Sequence, residues 1–221
     1  MKRNSILLLL LFGINCARVS DPYDPIKDQQ GEILFQLVNG VTSSSQNSLR
    51  PEVISNIEQS DGSIITLLRS TAADTWTNYS FQSRSLSNSN FDISFQRFKV
   101  RTNGGATNPS GKGGACRSNT TNFPGAGVTS TNLNCTEFVL DINGQAEVIG
   151  GGGASYVGSD VLTNFDTGWF IYDIPTLSPR MTVFVIRSFD GNRYYALQVI
   201  DYYSDAGTSG YPRIRWREIN F

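Results

Sequence analysis

Histidine is the most informative residue type in this sequence, because none of the 221 residues is one. Without imidazole there is no Ser-His-Asp or Cys-His nucleophile pair, no histidine-bound zinc and no histidine on a haem iron. The triplet Asp166-Thr167-Gly168 matches the core of aspartic proteases. Those enzymes need two carboxylates that share a proton, and the sequence has only one such triplet. We therefore expect a turn before a strand here, and a protein that is not an enzyme.

A glycine-rich stretch between Gly104 and Gly114 superficially resembles a phosphate-binding loop. Such a loop needs glycine five positions before Gly111, where Ala106 stands, and Ser or Thr after Lys112, where Gly113 stands. We therefore predict a flexible loop without a phosphate.

Basic residues alternate with apolar ones in two short runs, so that the basic side chains of each run should share one face of a sheet. The runs are Arg213, Arg215 and Arg217, and Arg97, Lys99 and Arg101. An anionic ligand would suit them, because arginine binds carboxylates bidentately. A solvated face, or cross-strand pairing with the plentiful aspartates, is the more common use and is favoured. The formal net charge is only −1, which gives no indication of nucleic-acid binding.

Four tyrosines lie within one strand-like run, 193–203. A period of two places Tyr195 and Tyr203 on one face and Tyr194 and Tyr202 on the other. A tyrosine phenolate can ligate iron, but aromatic packing in a sheet is more common, so we expect most of these side chains in the core.

The N-terminus predicts export and lipidation. Residues 1–15 have a basic start and a short apolar core, as in a secretory signal peptide, and Cys16 follows where a bacterial lipoprotein signal is cut and its cysteine acylated. The Asp/Pro-rich residues 16–30 then predict a flexible tether. A buried N-terminal strand with an incidental thiol is the less favoured alternative.

Export changes the expectation for the two remaining cysteines, Cys116 and Cys135. In an oxidising compartment an even pair favours a disulfide, which would stabilise by about 3 kcal/mol through loop closure. Two separate thiols remain the alternative. The bond would close part of a Gly/Asn/Thr-rich insertion, about 102–134, which shows no sustained period and is predicted to be a long loop.

Short alternating runs separated by turn residues predict an all-β domain over residues 31–221, with a mostly antiparallel sheet and long polar loops. Asp61-Gly62 predicts a turn before a strand at 64–69, and Asn143-Gly144 predicts a hairpin turn. A slip in the alternation at Gln96-Arg97 predicts a β-bulge. Other strands are predicted at 32–39, 168–174, 181–189, 193–203 and 211–219, with prolines 175 and 179 as separators.

The last quarter of the chain resembles the HmuY family of haem-binding lipoproteins. The resemblance rests on the ordered string 181–200, Asp201-Tyr202-Tyr203, Gly207 to Gly210 and Ile214-Arg215-Trp216, with the aromatic strand 168–172 upstream. It implies an all-β domain anchored by lipid to the outer membrane, probably no exception to the family being the cell-surface location. It also implies haem as cofactor, and a TonB-dependent haem receptor or host haemoproteins as partners.

Known members of this family hold the iron with two histidines or two methionines, and the sequence has no histidine and only Met181 besides Met1. Two functions therefore remain open. One is haem binding for iron acquisition with other ligation, through Met181 or a tyrosine, with Arg213 and Arg215 at the propionates. The other is a surface lipoprotein that keeps the fold and binds a host macromolecule or another ligand without haem.

Overall fold

The computed structural model describes residues 50–146, 155–173 and 176–221, and these residues form mainly β-strands. The predicted signal peptide (1–15), the tether with Cys16, and the strand predicted at 32–39 lie outside them. The strands are β1 (Glu52–Glu58), β2 (Ile64–Arg69), β3 (Thr77–Ser80), β4 (Ser85–Leu86), β5 (Ile93–Gln96), β6 (Lys99–Thr102), β7 (Gly114–Arg117), β8 (Ile142–Ala146), β9 (Ser155–Gly158), β10 (Phe170–Asp173), β11 (Thr176–Pro179), β12 (Val183–Arg187), β13 (Tyr194–Tyr203) and β14 (Ser209–Ile219). A 3-10 helix (Thr131–Leu133) and one helical turn, α1 (Asp160–Thr163), are also present.

The strands pair antiparallel throughout the described residues, which confirms the predicted all-β antiparallel fold. They form several sheets rather than one. The main sheet has the order β1-β2-β14-β13-β12-β7, and a second sheet has the order β4-β3-β5-β6. Two further hairpins, β8–β9 and β10–β11, stand as separate two-stranded sheets.

The core lies between the main sheet and the second sheet, because both contribute alternate buried side chains to one apolar cluster. Phe81 packs against Trp216 and Tyr195 with ring centroids 4.9 and 4.6 Å apart. A smaller cluster covers the opposite face of the main sheet and contains Cys116 and Cys135. The main sheet is therefore buried on both faces over much of its area.

The slip in the alternation at Gln96-Arg97 is a chain reversal, so the predicted β-bulge is wrong. Gln96 pairs with Lys99, which leaves a two-residue turn between β5 and β6. Arg97 adopts a φ of +54° there. Its backbone N–H donates to Ser70 O (2.9 Å), and its guanidinium donates to Ser209 Oγ (3.1 Å). A buried arginine thus joins the turn to both neighbouring segments.

The hairpin turn predicted at Asn143-Gly144 is also wrong. Both residues lie inside β8, which pairs with β9, and the register shifts between Ile142 and Gln145. Gly144 has a φ of +78°, a conformation that glycine adopts without strain. A glycine at positive φ suits a bulge within a strand as well as a turn, and here it serves the bulge.

The segment 102–134 is more regular than a long loop. It contains β7, which pairs with β12 at the edge of the main sheet, and the 3-10 helix. A Cβ atom at Gly104 would collide with the backbone carbonyl of Gly113, so these glycines permit close approach of two backbone segments. Cys116 and Cys135 form a disulfide with their Cα atoms 5.6 Å apart.

The last third of the chain has the predicted strands and one more. Pro179, predicted as a separator, instead ends β11, which pairs with β10. Register shifts on either side of Asp201 interrupt the period of two in β13. As a result, Tyr202 packs in the inner cluster with Tyr195, and not on the face of Tyr194 as predicted.

Candidate functional site

The arginines of β14 lie along the outer face of the main sheet, and each is paired with aspartate. Arg213 lies 3.7 Å from Asp201 and 3.4 Å from Asp205. Arg215 and Arg217 both contact Asp61, at 2.5 and 3.5 Å. The favoured prediction, cross-strand and nearby pairing with aspartates, describes this arrangement.

Asp61 is the anchor of this arrangement, because it accepts from two groups of the next turn as well as from arginine. The hydroxyl and the backbone N–H of Ser63 donate to Asp61 Oδ1 at 2.6 and 2.9 Å. These bonds, followed by those from Arg215, lower the pKa of Asp61 to about 2. The carboxylate therefore stays charged across the physiological range.

The segment between the two bonded cysteines covers part of this outer face. Phe123 lies over the guanidinium of Arg215, 4.4 Å from its ring centroid, and 5.8 Å from that of Arg217. Gln198 of β13, which is opposite Arg215 in the ladder, donates to Thr121 O at 2.8 Å. The disulfide thus holds an aromatic ring on the paired arginines.

Met181 lies at the border of the same face, just before β12. Its carbonyl accepts from the side chain of Gln198, and its side chain is 40% exposed. Its φ of +58° is uncommon for a residue other than glycine, asparagine or aspartate. Val183 pairs with Gln198, and Arg213 pairs with Asp201, so Met181 and Arg213 belong to segments two strands apart, about 10 Å at the usual strand spacing.

The second predicted basic run is divided by the turn between β5 and β6. Lys99 lies over the ring of Tyr156 at 5.1 Å, and Arg101 lies between the rings of Trp76 (4.2 Å) and Phe91 (5.5 Å). Arg97 is buried in the turn itself. The structure therefore gives these three residues separate packing roles rather than one shared surface.

The triplet Asp166-Thr167-Gly168 follows α1 and forms a turn. The side-chain oxygen of Asn164 accepts from the backbone N–H groups of Asp166 (3.0 Å) and Thr167 (3.1 Å). Asp166 is exposed. The geometry is that of the predicted turn before a strand.

A cleft of about 340 Å³ opens at the end of β14, where sequence reasoning predicted no site. Beyond Trp216, which pairs with Ile64, β14 has no ladder partner in β2. The lining residues come from the turn before β2, the turn after β3, the disulfide-closed segment and the strand ends: Asp61, Gly62, Ile64, Phe81, Gln82, Arg84, Ala126, Gly127, Arg193, Tyr195, Trp216, Arg217 and Glu218. Because these elements are far apart in sequence, no local pattern indicates the cleft.

Two aspartates are buried elsewhere in the fold. Asp92 accepts from the backbone N–H groups of Phe81 and Phe189, and Asp141 accepts from both hydrogen-bonding groups of Thr102. Burial raises the pKa of each carboxyl to about 6. Both bind the chain to itself, so a structural role accounts for them.

The sequence matches the family model described as HmuY protein over residues 72–216. The chain belongs to the HmuY family. This match includes Met181, Arg213, Arg215 and most of the cleft lining. No curated protein shows significant sequence similarity to this HmuY family member.

Solved structures share its fold. A protein described as HmuY-like and heme-binding, from Bacteroides vulgatus, is 18% identical with a TM-score of 0.51, covering 76% of this chain and 97% of its own. The apo HmuY analog of Tannerella forsythia is 15% identical with a TM-score of 0.52, covering 75% and 97%. In the part of the chain that the structure describes, no helix is long and apolar enough to cross a membrane.

Proposed function

We propose that this HmuY family member is a surface-exposed bacterial lipoprotein that binds haem for iron acquisition, without histidine ligation. Family membership supports the haem-binding class, and the sequence pattern at Cys16 supports a lipid anchor in the outer membrane. The proposal includes no enzymatic activity. Delivery of haem from host haemoproteins to a TonB-dependent receptor is the role that the resemblance implies.

The exposed thioether of Met181 is the observation that carries the proposal. Methionine is a recognised axial ligand of haem iron, and Met181 lies outside both apolar clusters with 40% of its surface exposed. Its left-handed backbone fixes the start of β12, and such strained residues concentrate at functional sites. Packing in the core, the alternative use of this methionine, does not describe its position.

Several tyrosines fit an iron ligand less well, because they are buried. Tyr79, Tyr195 and Tyr202 are at most 1% exposed. Burial raises the pKa of Tyr79 to about 12, which opposes formation of its phenolate. Haem, when bound, would supply the iron chemistry, and Met181 would hold it through one thioether.

The propionates would meet Arg213 rather than Arg215. Arg213 pairs with Asp201 and with the almost fully exposed Asp205, and such exposed pairs contribute little and exchange readily. Arg215 is held between Asp61 and the ring of Phe123. We therefore assign the propionate contact to Arg213, and the support of the covering segment to Arg215.

An optical titration of haem into the isolated protein tests this, with the Soret band followed in both iron oxidation states. Met181→Leu keeps the apolar volume and removes the sulfur ligand, so we expect its affinity to fall about tenfold or more. Ile57→Ala, which removes an exposed apolar side chain from β1, is the matched control and should bind as the wild type does.

Unchanged binding by Met181→Leu would reject the thioether. No saturable binding at micromolar haem would reject the haem function altogether. The protein would then be a surface lipoprotein that keeps the fold and binds a host macromolecule or another ligand.

A further inference from the structure

The cleft at the end of β14 contains hydrogen-bond donors that the protein itself leaves unused. Tyr195 and Arg217 both line it, and they are only 1% and 5% exposed. Among the described residues, neither the Tyr195 hydroxyl nor Arg217 Nε has a hydrogen-bond partner. An unsatisfied buried polar group is costly, so native proteins nearly always supply it with a partner.

Both orphaned groups can donate, and one of them, Nε of arginine, can only donate. The missing partner must therefore present acceptor atoms. Arg193 and Glu218, two other lining residues, are among the charges that act on the pKa of Tyr195, which places its hydroxyl beside the cleft's charged groups.

The charges of the lining favour an anion. Three arginines and two acidic residues line the cleft, an excess of one positive charge. Arg84 and Arg193 have half-exposed side chains, and their pairs with Glu58 (3.6 Å) and Glu218 (3.2 Å) are of the weak surface kind. Both guanidinium groups can therefore turn to a ligand at little cost.

Apolar and aromatic side chains complete the lining. Phe81 and Trp216 pack against each other at its inner side, next to Ile64. The volume of about 340 Å³ is at the low end of the range of ~300–1,000 Å³ for ligand pockets. A small molecule fits this space, whereas the macrocycle of haem needs a larger one.

We propose that this cleft binds a small organic carboxylate with an apolar or aromatic body, at a site separate from that proposed for haem. The carboxylate accepts from the Tyr195 hydroxyl and from Arg217 Nε, and the body rests against Phe81 and Trp216. The inference does not depend on haem binding, since it uses none of the residues assigned to haem.

The test is calorimetric titration of the isolated full-length protein with 3-phenylpropionate, and with the neutral 3-phenylpropionamide as a matched probe. We expect saturable binding of the acid with a dissociation constant on the order of millimolar or tighter, and weaker binding of the amide. Tyr195→Phe removes only the hydroxyl and should weaken binding of the acid about tenfold or more. Tyr202→Phe, which removes another buried hydroxyl of β13 outside the cleft, should bind as the wild type does.

A second pair of variants avoids the core. Ala126 is exposed at the cleft, so Ala126→Glu and Ala126→Gln should both fold. The added negative charge should weaken binding of the acid several-fold more than the neutral glutamine does.

Four results would overturn the proposal: no saturable binding of the acid, equal binding of acid and amide, unchanged binding by Tyr195→Phe, or an equal loss in Tyr202→Phe. Competition by haem would overturn the separateness of the site, because it would assign the cleft to the haem propionates. Failure of haem to bind at all leaves this test unaffected.

Discussion

Removal of the Cys116–Cys135 disulfide should lower the stability of the whole domain and not only loosen a surface loop. The bond joins β7, at the edge of the main sheet, to the segment just after the 3-10 helix. Cys135 is fully buried in the outer apolar cluster, and Ser130 donates its backbone N–H to Asn220 O at 2.8 Å, just after β14. The double variant Cys116→Ala/Cys135→Ala is the perturbation.

The expected magnitude follows from the sequence separation of 19 residues between the two cysteines. For a loop of that length, the chain-entropy model gives about 3 kcal/mol of stabilisation at 25 °C, because the bond restricts the unfolded chain. Alanine keeps most of the small buried volume, so we add little for packing. In a domain of this size, a loss of about 3 kcal/mol lowers Tm by roughly 6–12 °C.

The assay is urea unfolding of the wild type and the double variant, together with thermal scans. The wild type in a thiol reductant should lose about the same free energy of unfolding as the double variant. The Cys16→Ala protein, which lacks the third cysteine, should unfold as the wild type does. Binding of 3-phenylpropionate reports separately on the cleft, since Ala126 and Gly127 belong to the same segment.

A loss below about 1 kcal/mol, with the reductant equally without effect, would refute this reasoning. It would show that hydrogen bonds such as that between Ser130 and Asn220 hold the segment without the disulfide. A loss in the double variant with none in the reductant would instead indicate disrupted packing.

Three further outcomes are expected. Thr66→Val should cost about 1–3 kcal/mol in urea unfolding, because the buried Thr66 Oγ1 accepts from Trp216 Nε1 at 2.9 Å and valine cannot. Since burial raises the pKa of Asp92 and Asp141 to about 6, the folded state binds protons more tightly than the unfolded one. The free energy of unfolding should therefore rise as pH falls from about 7 to 4.5, a trend that a pH series of thermal scans checks and that a fall would contradict. Radiolabelled palmitate should label the protein and not Cys16→Ala, and an unlabelled wild type would reject the lipid anchor.

Strands with strict alternation and a clear turn before them were predictable from the sequence. The strand after Asp61-Gly62 begins at Ile64 and ends at Arg69 as predicted, because every second residue is buried and glycine occupies the positive φ of the turn. The strands of the last third were equally accessible. Local pattern is enough where one strand reports on its own two faces.

Turn chemistry was the less reliable signal. Asn143-Gly144 has the residues of a hairpin turn yet lies within β8, while the real turn between β5 and β6 places Arg97, a residue without turn preference, at positive φ. In both cases tertiary contacts override the local preference. Buried bonds from Arg97 to Ser209 are one such contact, and no sequence window contains both residues.

The candidate sites divide in the same way. Arg213, Arg215 and Arg217 share a face as the period of two predicts, and the aspartates plentiful in the sequence pair with them. The cleft could not be predicted, since Tyr195 and Arg217 look like ordinary strand residues until the turn at Asp61 is brought beside them. That contact depends on which strands become neighbours.

The position of β14 in the main sheet has a consequence for the order of folding. This last strand lies between β13 and β2, and its Trp216 bonds to Thr66, 150 residues earlier in the chain. The sheet can therefore close only after residue 219 has been made, and folding should be slow, as in other domains dominated by contacts distant in sequence. For a chain with the export signal predicted at its N-terminus, such delay keeps the polypeptide open during translocation. Completion of the sheet would then occur on the far side of the membrane, where oxidation of the cysteines takes place as well.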